Sequence, residues 1–305
     1  MPAVTRTWDP GARISLVETF GSLRRGGNDP ALRVMPDQSV WWTTTTPDGV
    51  GTLHVALAAD ACVCASAWGL GAQWLLDGLP RLLGAEDDAS TFAPVHDVVA
   101  AAYKRHRSWR PLKTNRTFEA CIAAVVEQKV TGREARYSWR TLLARFGEPA
   151  PGPAPDGMFA PPPPAVWRQL DSSDFHRAGV TPQRARTVSV VAQAAKAIQR
   201  AALVSSAETD RVLRALPGVG VWTSAETRQR SHGDADAVSF ADFHVAQDMC
   251  WWLTGTRGDD EDMRELLEPY AGHRYRVQRL MELSGGGAPR RGPRLAIPAH
   301  RTHSR

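Results

Sequence analysis

One eleven-residue stretch limits the fold more than any other: Leu213-Arg214-Ala215-Leu216-Pro217-Gly218-Val219-Gly220-Val221-Trp222-Thr223. A helical pattern ends, a Pro-Gly-Val-Gly turn follows, and a second helical pattern begins. Two glycines let the backbone turn tightly and come close to a ligand. The first N–H groups of the second helix lack intrahelical partners, and with the helix dipole they make an anion site. A nucleic-acid phosphate fits there with little sequence preference. A plain helix-to-helix turn would carry the same residues, so the stretch sets local geometry before it sets function.

The surrounding pattern changes period. Residues 13–20 and 39–46 are rich in β-branched and aromatic residues, and 52–57 alternates polar with apolar, which predicts strands. Turn signals separate them at Gly26-Gly27-Asn28-Asp29-Pro30, Met35-Pro36-Asp37 and Thr46-Pro47-Asp48-Gly49. Residues 72–83 read as a helix. From about Val95 onward the apolar spacing is helical. It runs over 118–145 with a break at Gly132, then 164–169, 182–202, 210–216, 222–231, 246–253, 259–267 and 273–283, with a Pro-rich loop over 147–164. The expected fold class is α+β: a small antiparallel β-rich N-terminal cap over 1–94, then an all-helical body over 95–287 with a helix-hairpin-helix motif. A basic, disordered tail is expected over 288–305.

Charge and cysteine content exclude some classes. The chain has 305 residues and a formal net charge of +5, which suits a polyanionic partner without requiring one. Lys104, Arg105, His106, Arg107 and Arg110 cluster before a helical segment and are candidates for phosphate contact. Arg290, Arg291, Arg294, Arg301 and Arg305 crowd the tail. Of four cysteines, Cys62 and Cys64 alternate with apolar residues as one strand face does, and no further ligand sits at metal-binding spacing. No metal site and no iron–sulfur cluster are expected. No apolar run approaches twenty residues and the N-terminus lacks a signal pattern, so a cytoplasmic, nucleoid-associated protein without membrane contact is expected.

A second informative stretch is Gly233-Asp234-Ala235-Asp236-Ala237-Val238-Ser239-Phe240-Ala241-Asp242-Phe243-His244-Val245. Asp242 falls just before a new helix, among apolar residues. A carboxylate there is costly to desolvate unless its charge is used or paired. It also reads as a helix cap, and the two roles are compatible. Asp234, Asp236 and Asp248 compete with it; the first two read as solvated loop acids.

The hairpin Leu216-Pro217-Gly218-Val219-Gly220, the Gly-Asp-x-Asp-Ala segment and Asp242 together resemble the helix-hairpin-helix DNA glycosylases with a Gly-Pro-Asp signature. Gly220-Val221-Trp222-Thr223, and Glu127-Gln128-Lys129-Val130-Thr131 before Gly132, look like the bacterial 3-methyladenine DNA glycosylases of the second type. The resemblance spans roughly Ile14 to Leu283. It implies a monomeric, cofactor-free enzyme that removes alkylated purines, of the 3-methyladenine and 7-methylguanine type, from double-stranded DNA. Asp242 matches the family's essential aspartate. Trp222 stands where strand-cutting relatives carry a Schiff-base lysine, which implies a monofunctional enzyme.

The resemblance also implies a base pocket and a DNA grip. Trp222 and Tyr270 match pocket positions, with Phe175 and Phe118 as weaker candidates that also read as core. An aromatic face stacks on a cationic alkylated purine, contributing about 0.5–2 kcal/mol. The target base must leave the helix, and Gln128 and Lys129 match the residues that fill the gap. Close relatives carry leucine where Lys129 stands, which leaves open whether Lys129 or Gln128 is the plug. Thr131, Pro217, Gly218, Val219, Gly220 and Thr223 complete the expected DNA contacts. A monovalent cation on hairpin carbonyls near Leu216 and Val219 is a further possibility that the family offers.

Overall fold

The computed structural model describes residues 2–289. Five antiparallel strands, β1 (Val4–Trp8), β2 (Leu32–Val34), β3 (Val40–Thr46), β4 (Gly49–Leu57) and β5 (Val63–Gly69), form one sheet in the order β1-β5-β4-β3-β2. Its inner face buries Val40, Trp42, Leu53, Val55, Val63, Ala65 and Ala67. Alternate residues point away, including the exposed Cys64, as period-2 spacing requires. Helices α2 (Ala72–Asp77) and α3 (Leu79–Leu82) cover that inner face.

One expected strand is a helix. Within 13–20, the segment Leu16–Phe20 forms α1, and its first turn is capped by the Ser15 hydroxyl accepting from the Glu18 amide at 3.3 Å. Leu16, Thr19 and Phe20 are its buried residues, and their spacing is that of one helix face. The serine cap and that spacing outweigh the β-branched composition.

The rest of the described chain is mainly helical. Helices α4 (Asp97–Arg105), α5 (Thr117–Glu127), α6 (Gly132–Phe146), α7 (Pro164–Gln169) and α8 (Ser172–Arg177) come first. Then follow α9 (Pro182–Gln193), α10 (Ala195–Ala201), α11 (Ser206–Arg214), α12 (Val221–Ser231), α13 (Val245–Thr254), α14 (Asp260–Leu267) and α15 (Arg274–Leu283). The expected single helix over 182–202 is two, divided at Ala194. The Pro-rich loop contains a short ladder of β6 (Glu148–Pro149) and β7 (Phe159–Ala160). The break in 118–145 lies at residues 128–131 rather than at Gly132. Gln128 is extended, Lys129 has φ +50°, and Thr131 caps α6 in a reciprocal bond with Glu134.

Two helical cores result. Helix α5, buried over most of its length, is the centre of one, with residues of α6 to α11 and Val219 around it. The other joins residues of α4, α13, α14 and α15 with Val238 and Tyr270. The hairpin before α12 belongs to the first core and the loop after α12 to the second. The candidate site sits at their shared edge. No helix among the described residues is long and apolar enough to cross a membrane. The arginines of the tail, from Arg290 on, lie outside the described residues. Of the expected tail only Ala288 and Pro289 are described; the Ala288 amide donates to Asp248 Oδ1 at 2.9 Å, and Arg257 donates to the Pro289 carbonyl.

Candidate active site

Helix α12 starts with Gly220 as its N-cap, and no side chain caps it. Its first-turn amides are therefore turned outward without an intrahelical partner. Pro217, Gly218 and Gly220 are exposed, while Val219 is 5% exposed and anchors the turn in the core. Gly218 has φ +87°, and a Cβ there would lie 2.3 Å from Thr187 Oγ1. Glycine is required at that point by both backbone and space.

Gln128 braces the turn from the end of α5. Its Nε2 donates to the Gly218 carbonyl at 2.9 Å and to Thr223 Oγ1 at 2.7 Å. Lys129, next in the chain, is exposed with a left-handed backbone. Thr131 is occupied by its helix cap, and Thr223 is buried. The expected DNA residues thus divide: Lys129, Pro217, Gly218 and Gly220 are presented to solvent, whereas Gln128, Thr131, Val219 and Thr223 hold the loops in shape.

Asp242 has two jobs in the structure. Its Oδ1 accepts from the amides of His244 at 2.8 Å and Val245 at 3.1 Å, which fixes the entrance to α13. Its Oδ2 accepts from the Trp222 indole Nε1 at 2.9 Å. The side chain is half-buried, and Ala241 before it has φ +63°. The helix cap of α13 is His244, without a side-chain cap bond, so Asp242 braces the turn just before it rather than capping the helix itself. The competing acids are engaged elsewhere. Asp234 pairs with Arg228 and accepts from Ser206, and Asp236 pairs with Arg274 at 3.0 Å. The expectation that these two are merely solvated is corrected by those arginines, which sequence separation hides.

Of the aromatic candidates, Trp222 bonds Asp242, whereas the structure ties the other three elsewhere. Phe118 and Phe175, 3% and 2% exposed, lie in the core around α5, which removes them from a pocket lining. Tyr270 is 2% exposed, and its hydroxyl accepts from the amides of Val95 at 3.2 Å and His96 at 3.1 Å. It ties the entrance of α4 to the second core. The basic cluster also divides. Lys104 and Arg105 form the last turn of α4, ahead of α5, and complement the α4 dipole there. His106 turns inward to Glu18 at 2.8 Å. Among the described residues, no three His, Cys, Asp or Glu side chains gather as a metal site.

Two groups went unread in the sequence. Ser239, three residues before Asp242, is a buried hub. Its hydroxyl accepts from Gln229 Nε2 at 2.9 Å and Gln278 Nε2 at 3.1 Å and donates to Glu226 Oε1 at 2.5 Å. Glu226 follows Trp222 by four residues, a spacing visible in the sequence. Nothing in the sequence marks Ser239, because its partners come from two separate helices.

At the level of sequence, no family model and no curated protein matches this chain. Solved structures do match in shape, and they define the class: the chain has the fold of the DNA glycosylases. A 3-methyladenine DNA glycosylase from Archaeoglobus fulgidus superposes with a TM-score of 0.73 at 12% identity, covering 93% of this chain and 98% of that one. The 8-oxoguanine glycosylase/lyase of Clostridium acetobutylicum, bound to double-stranded DNA with cytosine opposite 8-oxoguanine, gives 0.67 at 11% identity, covering 89% and 92%. The Schizosaccharomyces pombe 3-methyladenine DNA glycosylase, bound to abasic DNA, gives 0.51 at 18% identity, covering 63% and 93%.

Proposed function

We propose that this protein is a monofunctional DNA glycosylase that flips an alkylated purine out of duplex DNA and hydrolyses its N-glycosidic bond. The observation that carries the reading is the Trp222–Asp242 pair at the joint of the two helical cores, on a DNA glycosylase fold. The outward amides of α12 grip a phosphate, and exposed Lys129 fills the gap left by the flipped base.

The chemistry follows from charge. Loss of the base leaves an oxocarbenium-like sugar, and a fixed carboxylate stabilises that cation better than mobile water does. Asp242 is held at both oxygens, so it need not reorganise as charge develops. The same carboxylate orients the attacking water. An indole at 222 has no amine to form a Schiff base, so the product is an intact strand with an abasic site. The likeness to an 8-oxoguanine glycosylase/lyase favours a second reading, a glycosylase for another damaged base.

The test is release of free base from methylated duplex DNA by wild type and Asp242→Asn, with strand breaks scored before and after alkali. Release with breaks only after alkali, and a variant slowed by about a hundredfold or more, is the expected result. A variant as fast as wild type removes Asp242 from the chemistry. Wild type that binds duplex but releases no base is a binding module.

A further inference from the structure

Beneath the Trp222–Asp242 pair lies a charged cluster that base release as such does not require. Trp222 and Glu226 stand four residues apart on α12 and so share a face, about one turn or ~5.4 Å apart along the helix. Both reach the same loop. Trp222 binds Asp242 at its end, and Glu226 binds Ser239 at its start. A base attached to a sugar held at Asp242 and directed inward along α12 therefore approaches the helix face that carries Glu226.

That carboxylate is 9% exposed and only partly used. Oε1 accepts from Ser239 at 2.5 Å and Oε2 from Arg230 at 2.7 Å. A carboxylate has about four lone-pair sites, so each oxygen keeps acceptor capacity. Arg230 is itself fixed by the Ser22 carbonyl at 2.8 Å and balances the charge. Arg279 reaches the same cluster from α15. Its Nη1 donates to Glu282 at 2.8 Å and its Nη2 to the Glu18 carbonyl at 3.4 Å, while its Nε is buried and has no hydrogen-bond partner. Glu226, Arg230 and Arg279 all act on the buried Tyr275 phenol, which burial pushes above its ordinary range.

We propose that Glu226 is the specificity-determining residue of this site and selects guanine-type bases, its two oxygens accepting from N1–H and the exocyclic amine. This rests on the glycosylase reading above. Guanine offers two adjacent donors that match a carboxylate. A 3-alkyladenine offers one donor beside a ring-nitrogen acceptor, which faces the carboxylate with like polarity. The positive charge of 7-methylguanine adds to the attraction.

The experiment measures both bases released from one sample of dimethyl sulfate-treated DNA, by wild type and Glu226→Gln, with binding to duplex containing a stable abasic analogue in parallel. Glutamine turns one acceptor into a donor. The 7-methylguanine rate should fall about tenfold or more relative to the 3-methyladenine rate, with abasic-duplex binding retained. The ratio does not depend on the folded fraction, so a variant that folds poorly still reports. An unchanged ratio, or wild type that releases 3-methyladenine alone, overturns the proposal and leaves the glycosylase reading standing. Wild type that releases neither base from methylated DNA, nor 8-oxoguanine from a synthetic duplex, overturns both. Release of 8-oxoguanine alone, lost in Glu226→Gln, supports selection of guanine-type bases and overturns the alkyl-specific reading.

Discussion

The Trp222 indole Nε1 donates to Asp242 Oδ2 at 2.9 Å, while the other oxygen of Asp242 accepts from the His244 and Val245 amides where α13 begins. The carboxylate is thus fixed from two elements, α12 through Trp222 and the start of α13 through its amides. Trp222 acts here as a positioning residue, a role separate from stacking on a base.

Trp222→Phe keeps an aromatic ring and deletes the N–H donor. A hydrogen bond to a charged group is worth about 1.5–3 kcal/mol, so base release should slow by about tenfold or more. Binding to abasic duplex should be retained, because the deleted bond is to Asp242 and not to DNA. Single-turnover release measured beside duplex binding checks this. A variant with wild-type rate would show that the bond does not hold Asp242 in its working geometry.

Gln128→Ala removes the brace between α5 and the hairpin and leaves the Gly218 carbonyl and the Thr223 hydroxyl without that donor. Stability should fall by about 1–2 kcal/mol, and affinity for abasic duplex should fall with it. Thr223→Val removes one of the two acceptors, so the double variant should cost less than the sum of the singles. Urea titrations of the four proteins read the coupling; strict additivity would mean no interaction.

Gly218→Ala places a Cβ in a left-handed backbone, 2.3 Å from Thr187 Oγ1. Strain of this type costs about 1–3 kcal/mol, and the clash adds to it. A lower melting temperature and weaker duplex binding are expected. Gly220→Ala is the control for the melting temperature alone, since a Cβ there meets nothing within 4 Å and its φ is extended. Equal effects at both positions would contradict the geometry.

His54, His232 and His273 all have their pKa lowered from 6.5, in each case chiefly by burial. The folded state then binds fewer protons than the unfolded chain just below that value. Their contribution is fully present above pH 6.5 and is lost as pH falls towards their lowered folded values. Urea midpoints should drop between pH 7.5 and 5.5, and His232→Gln should flatten that slope. An unchanged slope would exclude His232 from the effect.

The sequence by itself determined the elements whose signal is local. Strands β3 and β4, the helices from α12 to α15, the turn between α11 and α12 and the position of Asp242 before α13 all follow from period and glycine chemistry within a few residues. It misread α1, where a serine cap and helical spacing overrode β-branched composition, and it placed the break before α6 at Gly132 instead of at Gln128–Thr131. What only the tertiary structure decided is which side chains meet. Phe118, Phe175 and Tyr270 read equally as pocket or core, because period marks an apolar face without saying what covers it. The partners of Asp242 at Trp222, of Ser239 at Glu226, and of Gln128 at Thr223 lie 20, 13 and 95 residues away. Hydrogen bonds across such separations are set by how packed helices bring distant turns together, and one chain's order of residues does not encode that distance.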